Sequence, residues 1–230
     1  MPDRSLKVGR PAAFHDVALT SMGRMNMAGL RPDHDILDVG CGVGRTARYL
    51  CDYLDAGARY QGFDVREDVV QWCQTHITPL FPNFQFQLIS LFNTRYNPDP
   101  TLPSASEFQF PYPDQSFNFA FAHSMFTHLV PEVTSHYLDE ISRVLRPGGI
   151  SYSTWFLFNE DSSGYAHSRT TTMHHDSSGT FAVQNPKVPE AAVGYSETFV
   201  RHAYSSSGLK IVEPIHAGFM RLQDVIVAVK

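Results

Sequence analysis

Residues 36–46, Ile-Leu-Asp-Val-Gly-Cys-Gly-Val-Gly-Arg-Thr, constrain this chain more than any other stretch. Ile36, Leu37 and Val39 around Asp38 read as a short buried strand. Gly40, Gly42 and Gly44 then fall at every second position, and a helical run from Arg45 to Leu54 follows. A strand, a glycine turn and a helix form the cradle in which a nucleotide-like ligand meets a parallel sheet. Glycine suits the turn because the backbone must bend sharply and let a ligand come close. The start of the helix adds unpaired N–H groups and the positive end of a dipole, which match a carboxylate or a phosphate. A tight strand-to-helix turn without a ligand is the plain alternative.

The next strand favours the ligand. Arg59-Tyr60-Gln61-Gly62-Phe63-Asp64 ends in a carboxylate 20 residues after Gly44 (64 − 44 = 20). An acid at that spacing can accept hydrogen bonds from ribose hydroxyls. Asp64 could instead cap a helix over Glu67–His76. The glycine spacing is Gly-x-Gly-x-Gly, unlike the Gly-x-Gly-x-x-Gly of nicotinamide and flavin binders. That difference points to S-adenosylmethionine.

Composition narrows the classes. The chain has 230 residues, enough for one α/β domain with a substantial core. With 43% hydrophobic and 18% charged residues it should be globular rather than disordered. A formal net charge of −5 with scattered basic residues argues against a long nucleic-acid footprint. No window approaches a membrane-spanning length, and Met1–Lys7 lacks the apolar core of a signal peptide. Cys41, Cys51 and Cys73 have no metal-ligand spacing and read as reduced thiols of a cytoplasmic protein.

Strand and helix patterns alternate, which predicts a doubly wound sheet. Residues 12–29 look helical and carry Met22, Met25 and Met27, with residues 1–31 as an N-terminal cover. Helices are expected over Glu67–Ile77, from Pro131 onward, and over Tyr195–Ser206. Further strands are expected at Phe84–Ile89, Phe117–Ala122, Ile150–Phe158, Leu209–Val212 and Asp224–Val229. Arg146-Pro147-Gly148-Gly149 should break the helix from Pro131 sharply, before the Ile150 strand. Residues 92–113 and the polar stretch 159–192 read as long irregular insertions.

These pieces together resemble the class I S-adenosylmethionine-dependent methyltransferases of small bacterial type. The matching segments are Asp38–Arg45, Gly62-Phe63-Asp64, Phe110–Phe117, Ser124–Leu129 and Arg143–Gly149, in the family's order. The resemblance implies a Rossmann-like, seven-stranded, mostly parallel sheet with an antiparallel last strand and helices on both faces. It implies one domain over residues 1–230. It places the amino acid end of S-adenosylmethionine on Asp38, Gly40, Cys41, Gly42, Gly44 and Arg45. Asp64 would take the ribose hydroxyls, and Val65 would pack on the adenine. Ser90 and Leu91 follow the third strand, where the family often has an Asp for the adenine amino group.

Methyl transfer displaces a sulfonium, so the protein supplies position, a dry pocket and a place for a proton. An oxygen nucleophile gains from a base of near-neutral pKa, and His123 and His128 follow the fourth strand at the ligand rim. His123 should also lie beside the cofactor. Either histidine could instead hold its loop by a local hydrogen bond. His174-His175-Asp176 is a metal candidate without a spaced partner, so no metal is expected; His15 and Glu197 are weaker candidates of the same kind. Phe14, Tyr112, Phe126, Trp155, Phe156 and Phe158 flank the expected crevice, as acceptor pocket or as core. The leading expectation is methyl transfer to an oxygen or nitrogen of a small molecule, a secondary metabolite or sugar. The alternatives are a nicotinamide-dependent oxidoreductase and a non-catalytic cofactor-binding module. Oligomeric state stays open, a homodimer included.

Overall fold

The structure is a computed structural model that describes Leu6 and residues 11–158, 173–219 and 223–230. Its centre is a parallel sheet of β1 (Ile36–Val39), β2 (Tyr60–Asp64), β3 (Phe84–Leu88), β4 (Phe117–Ala122) and β5 (Leu145–Trp155), ordered β3-β2-β1-β4-β5. β12 (Gln223–Val229) adds antiparallel to β5, and β10 (Lys210–Ile211) closes the row against β12. The row is the seven-stranded, mostly parallel sheet expected, with the last strand of the chain antiparallel.

Alternation along β4 shows why this sheet needs helices on both faces. Phe117, Ala120 and Ala122 belong to one core, and Phe119 and Phe121 to the other. The first core is covered by α4 (Pro131–Val144) and α5 (Glu197–Ser206), through Tyr137, Leu138, Ile141, Val200 and Tyr204. The second is covered by α1 (Pro11–Met27) and α3 (Glu67–His76), through Met22, Met25, Val69, Val70 and Cys73. A strand apolar on both faces must be buried on both, as parallel sheets are.

Several expectations are corrected. The helix after the glycine loop, α2, is only Ala47–Leu50. The chain keeps coiling to Leu54, but three-residue bonds (Tyr49 N–H to Thr46 C=O, Tyr53 N–H to Leu50 C=O) alternate with four-residue ones. Such mixed bonding tightens the turns and ends the regular helix after one turn. The helix does stop before Arg146–Gly149, at Val144, but the strand starts earlier than expected: β5 already runs from Leu145. Gly148, at φ +77°, donates to the Lys230 carbonyl, and Lys230 donates back to Gly149. Tyr195 is strand rather than helix: Ser196 caps α5, accepting from the Phe199 N–H at 3.2 Å.

The polar insertion is also more ordered than expected. β6 (Leu157–Phe158), β7 (His174–His175), β8 (Phe181–Val183) and β9 (Val193–Ser196) form a second sheet, ordered β6-β9-β8-β7. Strands of two to four residues are too short to show alternation in a sequence. Residues 159–172 of that insertion, and most of residues 1–10, lie outside the described residues. At the other edge, β10 and β11 (His216–Phe219) share one side of β12, both antiparallel to it.

Candidate functional site

The glycine loop is pinned to the end of β2, where the N–H groups of Gly40 and Cys41 both donate to the Phe63 carbonyl, at 3.0 and 2.9 Å. All three glycines have positive φ: +79° at Gly40, +52° at Gly42 and +65° at Gly44. A Cβ would find different neighbours at each. At Gly44 it would meet Ile77 Cδ1 at 2.6 Å and Cys73 Sγ at 3.1 Å, so Gly44 exists for packing against α3 and its C-terminal turn. At Gly40 it would come within 3.0 Å of Met125 Sδ, and at Gly42 it would find nothing within 4 Å. Gly42 is the glycine whose open side faces the site, whereas Gly44 lines neither cavity and packs against α3.

Two cavities meet at this loop. One, about 330 Å³, is lined by Asp64, Val65, Leu91, Asn93, Tyr96, His128 and Tyr137, among others. The other, about 240 Å³, is lined by Asp38, Cys41, Val43, Thr46, Phe121, Leu6 and Val17, among others. Gly40, Gly42, Arg45, Arg66, His123 and Ser124 line both. A cavity of about 610 Å³ lies elsewhere, between the end of α1 and β12, and includes no residue of the glycine loop.

Asp64 serves the chain while facing the cavity. Its Oδ2 accepts from the Gly42 N–H at 2.8 Å, and its Oδ1 from the Arg66 N–H at 3.0 Å. It therefore fixes the loop and braces the turn into α3. A carboxylate has about four lone-pair sites, so each oxygen keeps one for a ligand. Burial raises its pKa, opposed by these N–H donors. Asp38 is buried beneath the loop and accepts from the Tyr60 hydroxyl. Burial pushes its pKa up to about 8. Cys41 is buried, and burial also raises its thiol pKa.

His123 stands where the cavities join. Its Nδ1 is 3.4 Å from Thr46 Oγ1, and its ring meets those of Phe121 and Tyr152 at 5.1 and 5.3 Å. Burial, then the Arg45 charge, pulls its pKa down to about 3. The expected base of near-neutral pKa is not met here, because taking the ring out of water penalises the imidazolium. His128 lies in the larger cavity, its Nδ1 2.9 Å from the Glu190 carbonyl. Burial, then Arg95, lowers its pKa as well.

Other expected residues fall outside. Ser90 is exposed and lines neither cavity. His15 is exposed on α1 and bonds the Tyr49 hydroxyl. Glu197 pairs with Arg201 at 2.6 Å on α5. His174 and His175 are exposed on β7, and Asp176 closes a turn by accepting from Ser178 and Phe181 N–H groups. Among the described residues no three His, Cys, Asp or Glu side chains group as a metal site. Phe14, Tyr112, Phe126, Trp155, Phe156 and Phe158 line neither cavity; Phe126 and Trp155 stack at 4.2 Å in the core.

Sequence reasoning missed Thr46, Arg66, Ser124, Arg95 and Glu190. Ser124 holds a left-handed φ of +54°, with its N–H given to Thr154 Oγ1 at 2.7 Å. Non-glycine residues take that region rarely, and they cluster at functional sites. The signal was its place just past the end of β4.

Comparison with known proteins agrees with this geometry. A family model described as "Methyltransferase domain" matches residues 37–153. A sterol 24-C-methyltransferase of Gibberella zeae is 29% identical over 124 residues, covering 53% of this chain and 27% of that protein. This chain thus spans about a quarter of that relative's length. A SAM-dependent methyltransferase from Aquifex aeolicus has the same fold, at TM-score 0.62 and 19% identity, covering 100% of this chain and 99% of that one. The Burkholderia thailandensis 1,6-didemethyltoxoflavin-N1-methyltransferase, solved with S-adenosylhomocysteine, superposes at TM-score 0.60 and 16% identity, over 95% of this chain and 78% of that one. The chain belongs to the methyltransferase-domain family, whose cofactor is S-adenosylmethionine. The residues fit that cofactor: Gly42 leaves open space where any side chain would stand, and Asp64 has lone pairs to offer beside it.

Proposed function

We propose that this chain transfers the methyl group of S-adenosylmethionine to an oxygen or nitrogen of a small-molecule acceptor, a secondary metabolite or sugar. The observation that carries the reading is the pair of cavities joined at Gly40, Gly42, His123 and Ser124. The larger, with Asp64 beside Phe63, Val65 and Leu91, suits a nucleoside; the other is smaller and includes Val17 of α1. When bound, the cofactor supplies a methyl carbon made electrophilic by its sulfonium.

The chain's own part is position and charge. Gly42 lets the backbone approach the amino acid end, with Asp38, Cys41 and Arg45 around it. Asp64 accepts from ribose hydroxyls, and Val65 and Leu91 wall the base. His123 stays neutral near pH 7 because its pKa is about 3. A neutral imidazole beside a cationic cofactor avoids like-charge repulsion. It can still accept a hydrogen bond from the acceptor's O–H or N–H and so orient the attacking lone pair. His123 is thus proposed as an orienting residue that touches the acceptor rather than as a strong base. The free, buried Cys41, Cys51 and Cys73 suit a reducing cytosol. Among the described residues no helix is long and apolar enough to cross a membrane.

The test is transfer of methyl label from S-adenosylmethionine to fractionated small-molecule extracts. Label should appear in a small-molecule fraction, and His123→Leu should cut turnover while leaving S-adenosylhomocysteine affinity within about threefold. A chain that binds the cofactor yet labels no fraction would overturn the proposal.

A further inference from the structure

His128 lines the 330 Å³ cavity, and behind it three distant segments meet. Thr94 Oγ1 bonds the Glu190 carboxylate, and Arg95 Nη1 donates to the Ala191 carbonyl at 3.0 Å. Between them sits His128, with Nδ1 2.9 Å from the Glu190 carbonyl and 3.2 Å from Arg95 Nη1. A carbonyl only accepts and a guanidinium only donates, so one proton at Nδ1 can suit only one neighbour. The carbonyl is the closer, and Arg95 Nη1 already has the Ala191 carbonyl as its acceptor. The Nδ1–H tautomer satisfies this arrangement. The other nitrogen, Nε2, then carries a lone pair and acts as an acceptor.

A ligand base in this cavity needs such an acceptor. Ser90, at the position where an acid would serve, is exposed and off the cavity. Asn93 lines the cavity, but its Oδ1 already accepts from the Arg95 and Tyr96 N–H groups at 3.0 and 2.9 Å. Asp64 is taken up by Gly42 and Arg66, with its remaining lone pairs assigned to ribose. Burial, then the Arg95 charge, shifts His128 towards its neutral form.

We infer that His128 reads the adenine of the cofactor, its Nε2 accepting a hydrogen bond from the exocyclic amino group. The inference rests on the larger cavity being the nucleoside end of the cofactor site. It moves His128 from candidate base to specificity residue, held in its tautomer by the Glu190 carbonyl. Replacing the amino group by a carbonyl, as in inosine, would set two acceptors face to face.

Calorimetry with S-adenosylhomocysteine and S-inosylhomocysteine tests this on the wild-type chain, His128→Leu and His128→Gln. The wild type should prefer the adenosine form by about tenfold, the worth of one hydrogen bond between buried groups. His128→Leu should bring the ratio towards one, and His128→Gln, which keeps a carbonyl acceptor, should restore part of it. An unchanged ratio in folded His128→Leu overturns the inference alone; binding of neither compound to the wild type overturns the site reading too. Histidine ¹⁵N spectra add a readout that needs no variant to fold. His128 should show a protonated Nδ1 and a bare Nε2 that shifts on adding S-adenosylhomocysteine. A protonated Nε2 in the free chain would overturn the assignment.

Discussion

The two ends of the site are built in different ways. The near end is backbone: Asp38 to Thr46, one unbroken stretch, with Gly42 left open and the loop pinned by the Phe63 carbonyl. The far end is walled by side chains from distant segments, Leu91 to Asn93, Tyr96 and His128, with Thr94, Arg95 and residues 190–191 bracing His128 from behind. A backbone-built end leaves a local motif in the sequence. A side-chain-built end leaves none, because its parts are separated by up to 96 positions, as Thr94 and Glu190 are.

The largest expected effect is at Gly44, which separates packing from binding within the near end. Gly44→Ala combines a left-handed φ with a Cβ 2.6 Å from Ile77 Cδ1. Overpacking and backbone strain together should cost about 2–5 kcal/mol in urea unfolding. Gly42→Ala has the strain without the clash and should cost about 1–2 kcal/mol. Its methyl group enters the cavity, so it should weaken S-adenosylhomocysteine binding instead. Equal stability losses in the two variants would break the distinction between these glycines.

Asp64→Ala comes next and sharpens the link between the ends. Removing the carboxylate should lower S-adenosylhomocysteine affinity by about 1–3 kcal/mol, read by calorimetry. Unchanged affinity in the folded variant would reduce Asp64 to a brace for Gly42 and Arg66.

A pH dependence concerns the buried carboxyl beneath the loop. The folded pKa of Asp38 is about 8, above the usual carboxylate value, so between about pH 4 and 8 the folded chain holds a proton that the unfolded chain has lost. Stability should therefore fall as pH rises through that window. His123 works in the opposite sense: its folded pKa of about 3 lies below the ordinary 6.5, so its contribution is lost as pH falls below about 6.5. Asp38→Asn keeps a carbonyl for the Tyr60 hydroxyl and should flatten the decline on the alkaline side, measured as urea midpoints across pH. A slope unchanged by Asp38→Asn would mean that the buried carboxyl is not the source.

How far the sequence could be read follows the same division. The strands of the main sheet were legible because apolar runs such as Phe117–Ala122 are long enough to show burial on both faces. The loop at Gly40, Gly42 and Gly44 was legible as a turn, yet its letters are identical while their neighbours differ, so the roles of Gly42 and Gly44 could not be separated. The second sheet was not legible, because β7 and β6 have two residues each. His123 could be placed at the rim from the end of β4. Its low pKa could not, since that depends first on burial among rings such as those of Phe121 and Tyr152 and then on Arg45. Of the aromatic residues expected beside the crevice, Phe14, Tyr112, Phe126 and Trp155 pack in the cores, the reading the sequence favoured, while Phe63, Tyr96 and Tyr137 line the larger cavity.

The central claim is that the notch between β1 and α2, with Asp64 beside it, holds an adenosyl sulfur compound. Titration calorimetry of the wild-type chain with S-adenosylhomocysteine and, separately, with NAD tests it most directly. The account predicts saturable one-to-one binding of S-adenosylhomocysteine, weakened by Asp64→Ala, and no saturable binding of NAD. Tight NAD binding with no heat from S-adenosylhomocysteine would contradict it.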